Sequence, residues 1–204
     1  MRRSSCAASD SEKPFLDPFA MTLSLANSTL SALPHASLRS LRASLQRDLG
    51  DGFAAVLQDA GYAGGETVFA AFRDWCAQRG EDAPEAMSYA MFQQVAAQFF
   101  AQAGWGSVTM TPLGDAAVAL DSADWAEADP AAAMPYPACY YTAGLLADFF
   151  GRVADGALAC MEVECRTAGA ARCRFLLGSP EVIGYAYQRL TEGVQYEAAL
   201  QELA

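Results

Sequence analysis

A chain of 204 residues with 53% hydrophobic and 18% charged side chains is long enough for one domain with a sizeable core, and too apolar to be disordered. Its net charge of −11 excludes a nucleic-acid surface and disfavours an anionic membrane, because nothing here can neutralise a row of phosphates. No apolar run reaches bilayer length, and the opening MRRSSCAASDSEKPF has no apolar stretch behind its arginines, so neither a membrane span nor a secretory signal is expected.

These features predict a cytoplasmic protein, in which thiols stay reduced and clustered cysteines read as metal ligands rather than disulfides. Cys6 is accordingly not expected to be a lipoprotein anchor, and either Met1 or Met21 serves as a start. Residues 1–37, Ser-rich and punctuated by proline, read as a flexible lead, disordered to about Met21. His35, the only histidine, reads as a solvated loop residue far from the cysteines.

From Ser37 the apolar residues Leu38, Leu41, Leu45, Leu49, Phe53, Val56 and Leu57 recur at helical spacing. Gly50 and Gly52 are expected to divide this run, and Gly61 with Gly64 and Gly65 to end it. A second helix over Glu66–Arg79 carries Val68, Phe69, Phe72, Trp75 and Cys76 on one face, with Cys76 as a core thiol, and stops at Gly80. Pro84 opens a third helix over Glu85–Ala103. After Gly104 the period becomes strand-like, and Val108–Pro112 with Ala117–Asp121 forms a hairpin around Leu113-Gly114-Asp115. An acidic segment with Trp125 and a proline-marked loop lead to a fourth helix, Cys139–Ala154. ALACMEVEC then alternates as a strand, RTAGAAR turns, and CRFLLG returns. Ser179-Pro180 caps a last helix through Leu190, and the tail 193–204 holds a short helix. The expected fold is α+β, with helices packed on a small antiparallel sheet. Residues 38–192 form a single domain in which a helical part precedes a metal-clasped helix–hairpin–helix unit.

The chemistry concentrates in Cys139–Cys173. Cys139 opens a helix, Cys165 closes a strand and Cys173 begins the returning strand, so Cys139, Glu162, Cys165 and Cys173 can converge on one ion. Thiolate sulfur with a carboxylate oxygen suits Zn²⁺. Glu162 and Cys165 are three apart and would face opposite ways in a regular strand, so the clasp needs a bulge or an early exit at Cys165. Cys160 and Glu164 compete as ligands on spacing alone.

The pattern Pro-x-Cys-Tyr-x4-Leu-x2-Phe followed by MEVEC-x7-CRF resembles the 4-vinyl reductase (4VR) domain family. The resemblance covers roughly 40–190, with its specific motif in 134–178. It implies an α/β fold shared with subunits of a vesicle-tethering complex, binding of small molecules, and a structural zinc held by three cysteines and a glutamate. These ligands carry over to Cys139, Glu162, Cys165 and Cys173. The family includes aromatic-responsive activator input domains and a bacteriochlorophyll-biosynthesis protein, and it admits a homodimer. Its phenol sensors grip the hydroxyl with a histidine. None is evident beside the aromatic residues here, so a larger or more apolar ligand is expected.

Four protein ligands would leave no open coordination position for catalysis, and no dinucleotide fingerprint, P-loop or nucleophile elbow is present. No catalytic residue is assigned. The aromatic residues Phe99, Phe100, Trp105, Trp125, Tyr140, Tyr141 and Phe149 are candidate walls of a ligand site. The leading expectation is a stand-alone sensor or carrier of an apolar or aromatic small molecule. An accessory protein of bacteriochlorophyll or other tetrapyrrole synthesis and a ligand-free adaptor are the alternatives.

Overall fold

The structure, a computed structural model, describes residues 29–203. The expected disorder up to Met21 lies outside the described residues. Helix α1 (His35–Leu49) follows Pro34 and stops at Gly50, whose φ of 55° few other residues adopt readily. A single 3-10 turn over Gly50–Gly52 leads directly into α2 (Phe53–Gln78). The expected break at Gly50 and Gly52 is therefore present, whereas the expected end at Gly61, Gly64 and Gly65 is not.

The physical reason for that correction is tertiary. Helix α4 (Tyr140–Val153) lies against α2 so closely that a Cβ on Gly61 would sit 1.9 Å from the Tyr141 carbonyl oxygen. A Cβ on Gly144 would meet the Gln58 carbonyl oxygen at 1.9 Å, and one on Gly65 the Asp148 side chain at 2.5 Å. Each glycine costs about 1 kcal/mol of helix propensity. The close crossing offsets this by burying Phe69 and Phe72 of α2 among Leu145, Leu146 and Phe149 of α4.

The expected third helix is also divided. A 3-10 turn over Pro84–Ala86 precedes α3 (Tyr89–Gln102), and Ser88 caps α3, its Oγ accepting from the Met91 amide at 3.3 Å.

Strands β1 (Thr109–Leu113), β2 (Ala117–Ser122), β3 (Ala159–Glu164) and β4 (Cys173–Gly178) form one antiparallel sheet in the order β1-β2-β4-β3. Side-chain alternation gives the sheet two buried faces. Met110, Leu120, Cys160, Phe175 and Leu177 face the core shared with α2, α3 and α4. Ala117, Ala119 and Leu176 face α5 (Pro180–Thr191) and α6 (Tyr196–Gln201), with Met161 and Val163 packed at the margin. The result is an α+β fold of three layers, with α4 the innermost helix. Helix α6 is the short helix expected in the tail. Tyr196 fastens it to the sheet, its hydroxyl donating to Glu164 (2.9 Å) and accepting from Arg174 (2.8 Å). Among the described residues no helix is long and apolar enough to cross a membrane.

Candidate metal clasp and ligand groove

Glu162 shares a sheet face with Phe175 and Leu120, its partners across the register, and so points toward α4. A register shift between Glu162 and Glu164 supplies the irregularity that the three-residue spacing demanded, and Cys165 leaves the strand to start a 3-10 turn. Cys173, at the head of β4, faces the same way as Phe175. Cys139 sits at the entrance of α4. The structure thus brings one donor atom each from Cys139, Glu162, Cys165 and Cys173 within 4.8 Å of one another, a group that can hold a metal ion.

The competing ligands lie elsewhere. Cys160 packs into the core between sheet and helices, and Glu164 is engaged by Arg172 at 3.0 Å. Cys76 is likewise a free thiol buried in the core.

Electrostatics fit a cation. The three clasp thiols are free and buried, with Cys139 and Cys165 Sγ atoms 3.8 Å apart. Glu162 Oε2 accepts from the Cys139 amide at 2.8 Å, while its buried Oε1 has no hydrogen-bond partner among the described residues. A buried carboxylate oxygen without a partner is costly, and a metal ion at this position would satisfy it. Burial, followed by the neighbouring Cys165 charge, pushes Glu162 up to about 9. Hydrogen bonds from Cys139 and Cys173 hold the Cys165 thiol far below its ordinary value, which makes it the natural first thiolate.

A second buried carboxylate, Glu127, escaped sequence analysis. It caps α4 from outside the helix, accepting from the amides of Tyr141 (3.1 Å) and Thr142 (2.8 Å) and from the Thr142 hydroxyl (2.5 Å). Trp125 Nε1 in turn donates to Thr142 Oγ1 at 2.7 Å. Burial pushes the Glu127 carboxyl up to about 7, against the lowering effect of these donors.

The sign follows from linkage. Below about 4.5 both folded and unfolded chains hold this proton; between there and about 7 only the folded chain does. Folding is therefore favoured by this group below pH 4.5, and that advantage is withdrawn as pH rises to 7, by about 3 kcal/mol. The expected observation is a carbon-13 carboxyl titration of Glu127 with its midpoint near 7 rather than near 4.5.

The aromatic candidates divide between core and grooves. Phe99, Phe100 and Phe149 are fully buried in a continuous cluster, with Phe100 and Phe149 centroids 5.2 Å apart. Trp125 is buried between Phe100 and Trp105, stacked on the latter at 5.6 Å. Trp105 and Tyr141 stack at 5.9 Å with an 11° tilt and line an apolar groove of about 780 Å³ between α1 and α2. Leu38, Leu41 and Leu45 of α1 and Val56 and Leu57 of α2 form its sides, and Leu41 and Val56 remain 48% and 44% exposed.

His35 stands at this rim, exposed as expected, but as the first residue of α1 rather than in a loop. Its Nε2 is 3.3 Å from the Gly104 carbonyl oxygen, because the turn after α3 folds back onto α1. A histidine therefore does stand beside Trp105, contrary to expectation. Tyr140 instead lines a second groove of about 750 Å³, shared with Cys139, Glu162, Met161 and Tyr187.

Fold and clasp together define an α+β domain with a four-stranded antiparallel sheet, helices on both faces and a thiol–carboxylate group beside the inner helix. Residues 122–179 match the 4-vinyl reductase (4VR) domain, and the chain carries that domain over this stretch. The phenol-responsive sensory domain of the transcription activator PoxR, solved with phenol, superposes with a TM-score of 0.57 at 15% identity, over 74% of this chain and 77% of that one. A trafficking protein particle complex subunit 3 from Naegleria fowleri, covalently bound to palmitic acid, gives 0.50 at 11% identity over 71% and 91%. A vinyl-4-reductase family protein from Methanocaldococcus jannaschii gives 0.49 at 16% identity over 73% and 83%. At these identities the likeness is one of fold. No curated protein matches the sequence.

Proposed function

We propose that this chain is a zinc-stabilised binding module for an apolar or aromatic small molecule, acting as a sensor or carrier, with residues 38–192 as its ligand-binding domain. The observation that carries the reading is the groove between α1 and α2, walled by leucine and valine side chains and floored by the stacked Trp105 and Tyr141. Concave, mostly apolar sites with a few polar groups are how small ligands are held, and His35 with the Gly104 carbonyl supplies such a polar point at one end. The solved relatives whose descriptions name phenol and palmitic acid support this class of ligand.

For the metal, a tetrahedral Zn²⁺ with sulfur at about 2.3 Å requires sulfurs about 3.8 Å apart. Cys139 and Cys165 stand 3.8 Å apart. Zinc held by Cys139, Glu162, Cys165 and Cys173 would have four protein ligands and no open position, so its role is structural. It would tie the start of α4 to both strands of the β3–β4 hairpin.

The test pairs native mass spectrometry of protein purified without added metal with fluorescence titration by N-phenyl-1-naphthylamine, a neutral aromatic reporter. One zinc per chain and saturable reporter binding are expected, with Trp105→Ala weakening that binding about tenfold. Binding that is indifferent to Trp105→Ala and to Leu41→Ser would move the ligand out of this groove. No saturable binding at all would remove the sensor reading in favour of an adaptor.

A further inference from the structure

We propose that Arg42 and the segment Trp125–Asp129 position the groove and the metal clasp together, so that occupation of either site strengthens the other. The inference rests on the ligand and zinc assignments above and adds a link between them. Arg42 is a buried arginine, 4% exposed, on the inward side of α1 between Leu38 and Leu45. It donates to the Glu127 carbonyl at 3.0 Å and pairs with Asp129 at 3.5 Å. One wall of the groove is thereby pinned to this segment by a buried, charge-assisted contact.

The same five residues build the groove floor. The Ala126 amide donates to the Trp105 carbonyl at 2.8 Å, and Ala126 itself lines the groove. The Glu127 carboxylate holds the amide of Tyr141, whose ring is the other half of the floor.

They reach the clasp at two points. Tyr141 and Thr142, both held by Glu127, belong to the first turn after Cys139. The Asp129 amide donates to Thr167 Oγ1 at 2.9 Å, in the 3-10 turn that begins at Cys165, and the Thr167 carbonyl accepts from Met134 at 3.0 Å. Movement of α1 relative to α2 therefore pulls on a segment that also sets the placement of Cys139 and Cys165. Close-packed contacts of this kind pass on small displacements rather than absorb them, and a coupling between two binding equilibria is reciprocal.

The experiment uses the full chain loaded with zinc. Zinc release to 4-(2-pyridylazo)resorcinol is followed by absorbance with and without saturating N-phenyl-1-naphthylamine, and reporter affinity is measured with and without zinc. Wild type is expected to show a coupling factor of about fivefold or more, equal in both directions. Arg42→Met, which keeps the aliphatic stem, is expected to bring the factor to unity, and Arg42→Lys to restore part of it. A purely structural arginine would lower both affinities and leave their ratio unchanged, which would overturn the role of Arg42. Reporter binding without any effect on zinc release in wild type would overturn the link while leaving the ligand reading intact. Absence of reporter binding would overturn both. Should Arg42→Met fail to fold, the reciprocal measurement in wild type and Arg42→Lys decides the matter.

Discussion

Cys165→Ser is expected to release the metal and to cost about 4 kcal/mol of stability or more, roughly 8–16 °C in Tm for a domain of this size. The loss has two sources. Serine is a poor zinc ligand, and removing the thiolate leaves the Glu162 carboxylate buried with an unpartnered oxygen. Cys165 is also the thiol with the most depressed proton affinity, so the site loses its first anionic donor. Cys160→Ser provides the contrast. That residue lies in the same strand as Glu162 but packs against the core, so its variant should keep one metal per chain while losing some packing stability. Native mass spectrometry and calorimetry with and without a chelator read both effects. Metal retained by Cys165→Ser and lost from Cys160→Ser would reverse the ligand assignment.

Gly61→Ala and Gly144→Ala should each destabilise by about 3 kcal/mol or more, seen as a fall of roughly 6–12 °C in Tm. Ordinarily alanine stabilises a helix relative to glycine. Here the added methyl would lie 1.9 Å from a backbone carbonyl oxygen of the facing helix, and a backbone atom cannot swing aside as a side chain does. The helices must separate, opening the cluster around Phe72 and Phe149. Gly184→Ala in α5 is the control, because no atom lies within 4 Å of its new Cβ. It should gain roughly 0.4–1 kcal/mol. Equal effects from the three substitutions in thermal denaturation would contradict the close crossing.

The same glycines show where a sequence stops being legible. Read locally, GYAGGE has weak helix propensity and looks like an end; only the approach of α4 makes it a helix interior, and α4 begins more than sixty residues later. The hairpin was easier. Alternation in ALACMEVEC and CRFLLG and the proline after Ser179 are local signals, and they correspond to β3, β4 and the start of α5. Even the irregularity near Cys165 followed from counting residues, because a period of two is unforgiving.

The aromatic residues were less readable. Phe99, Phe100 and Phe149 share a spacing with residues that line grooves, and periodicity says which face is buried without saying whether protein or ligand covers it. Glu127 gave no periodic signal at all, since it acts across space on the start of α4. Arg42 did leave a trace, because it stands four residues after Leu38 on an otherwise apolar stripe.

The pairing of α2 with α4 also bears on how the chain is made. About 75 residues separate the end of α2 from the end of α4. At ribosomal rates of about 5–20 residues per second, the glycine-lined side of α2 waits roughly 4–15 s for its partner. During that interval Phe69, Phe72 and Trp75 have no α4 to cover them. Newly made chains should accordingly be most prone to aggregation, and most dependent on chaperones, between the emergence of α2 and that of α4.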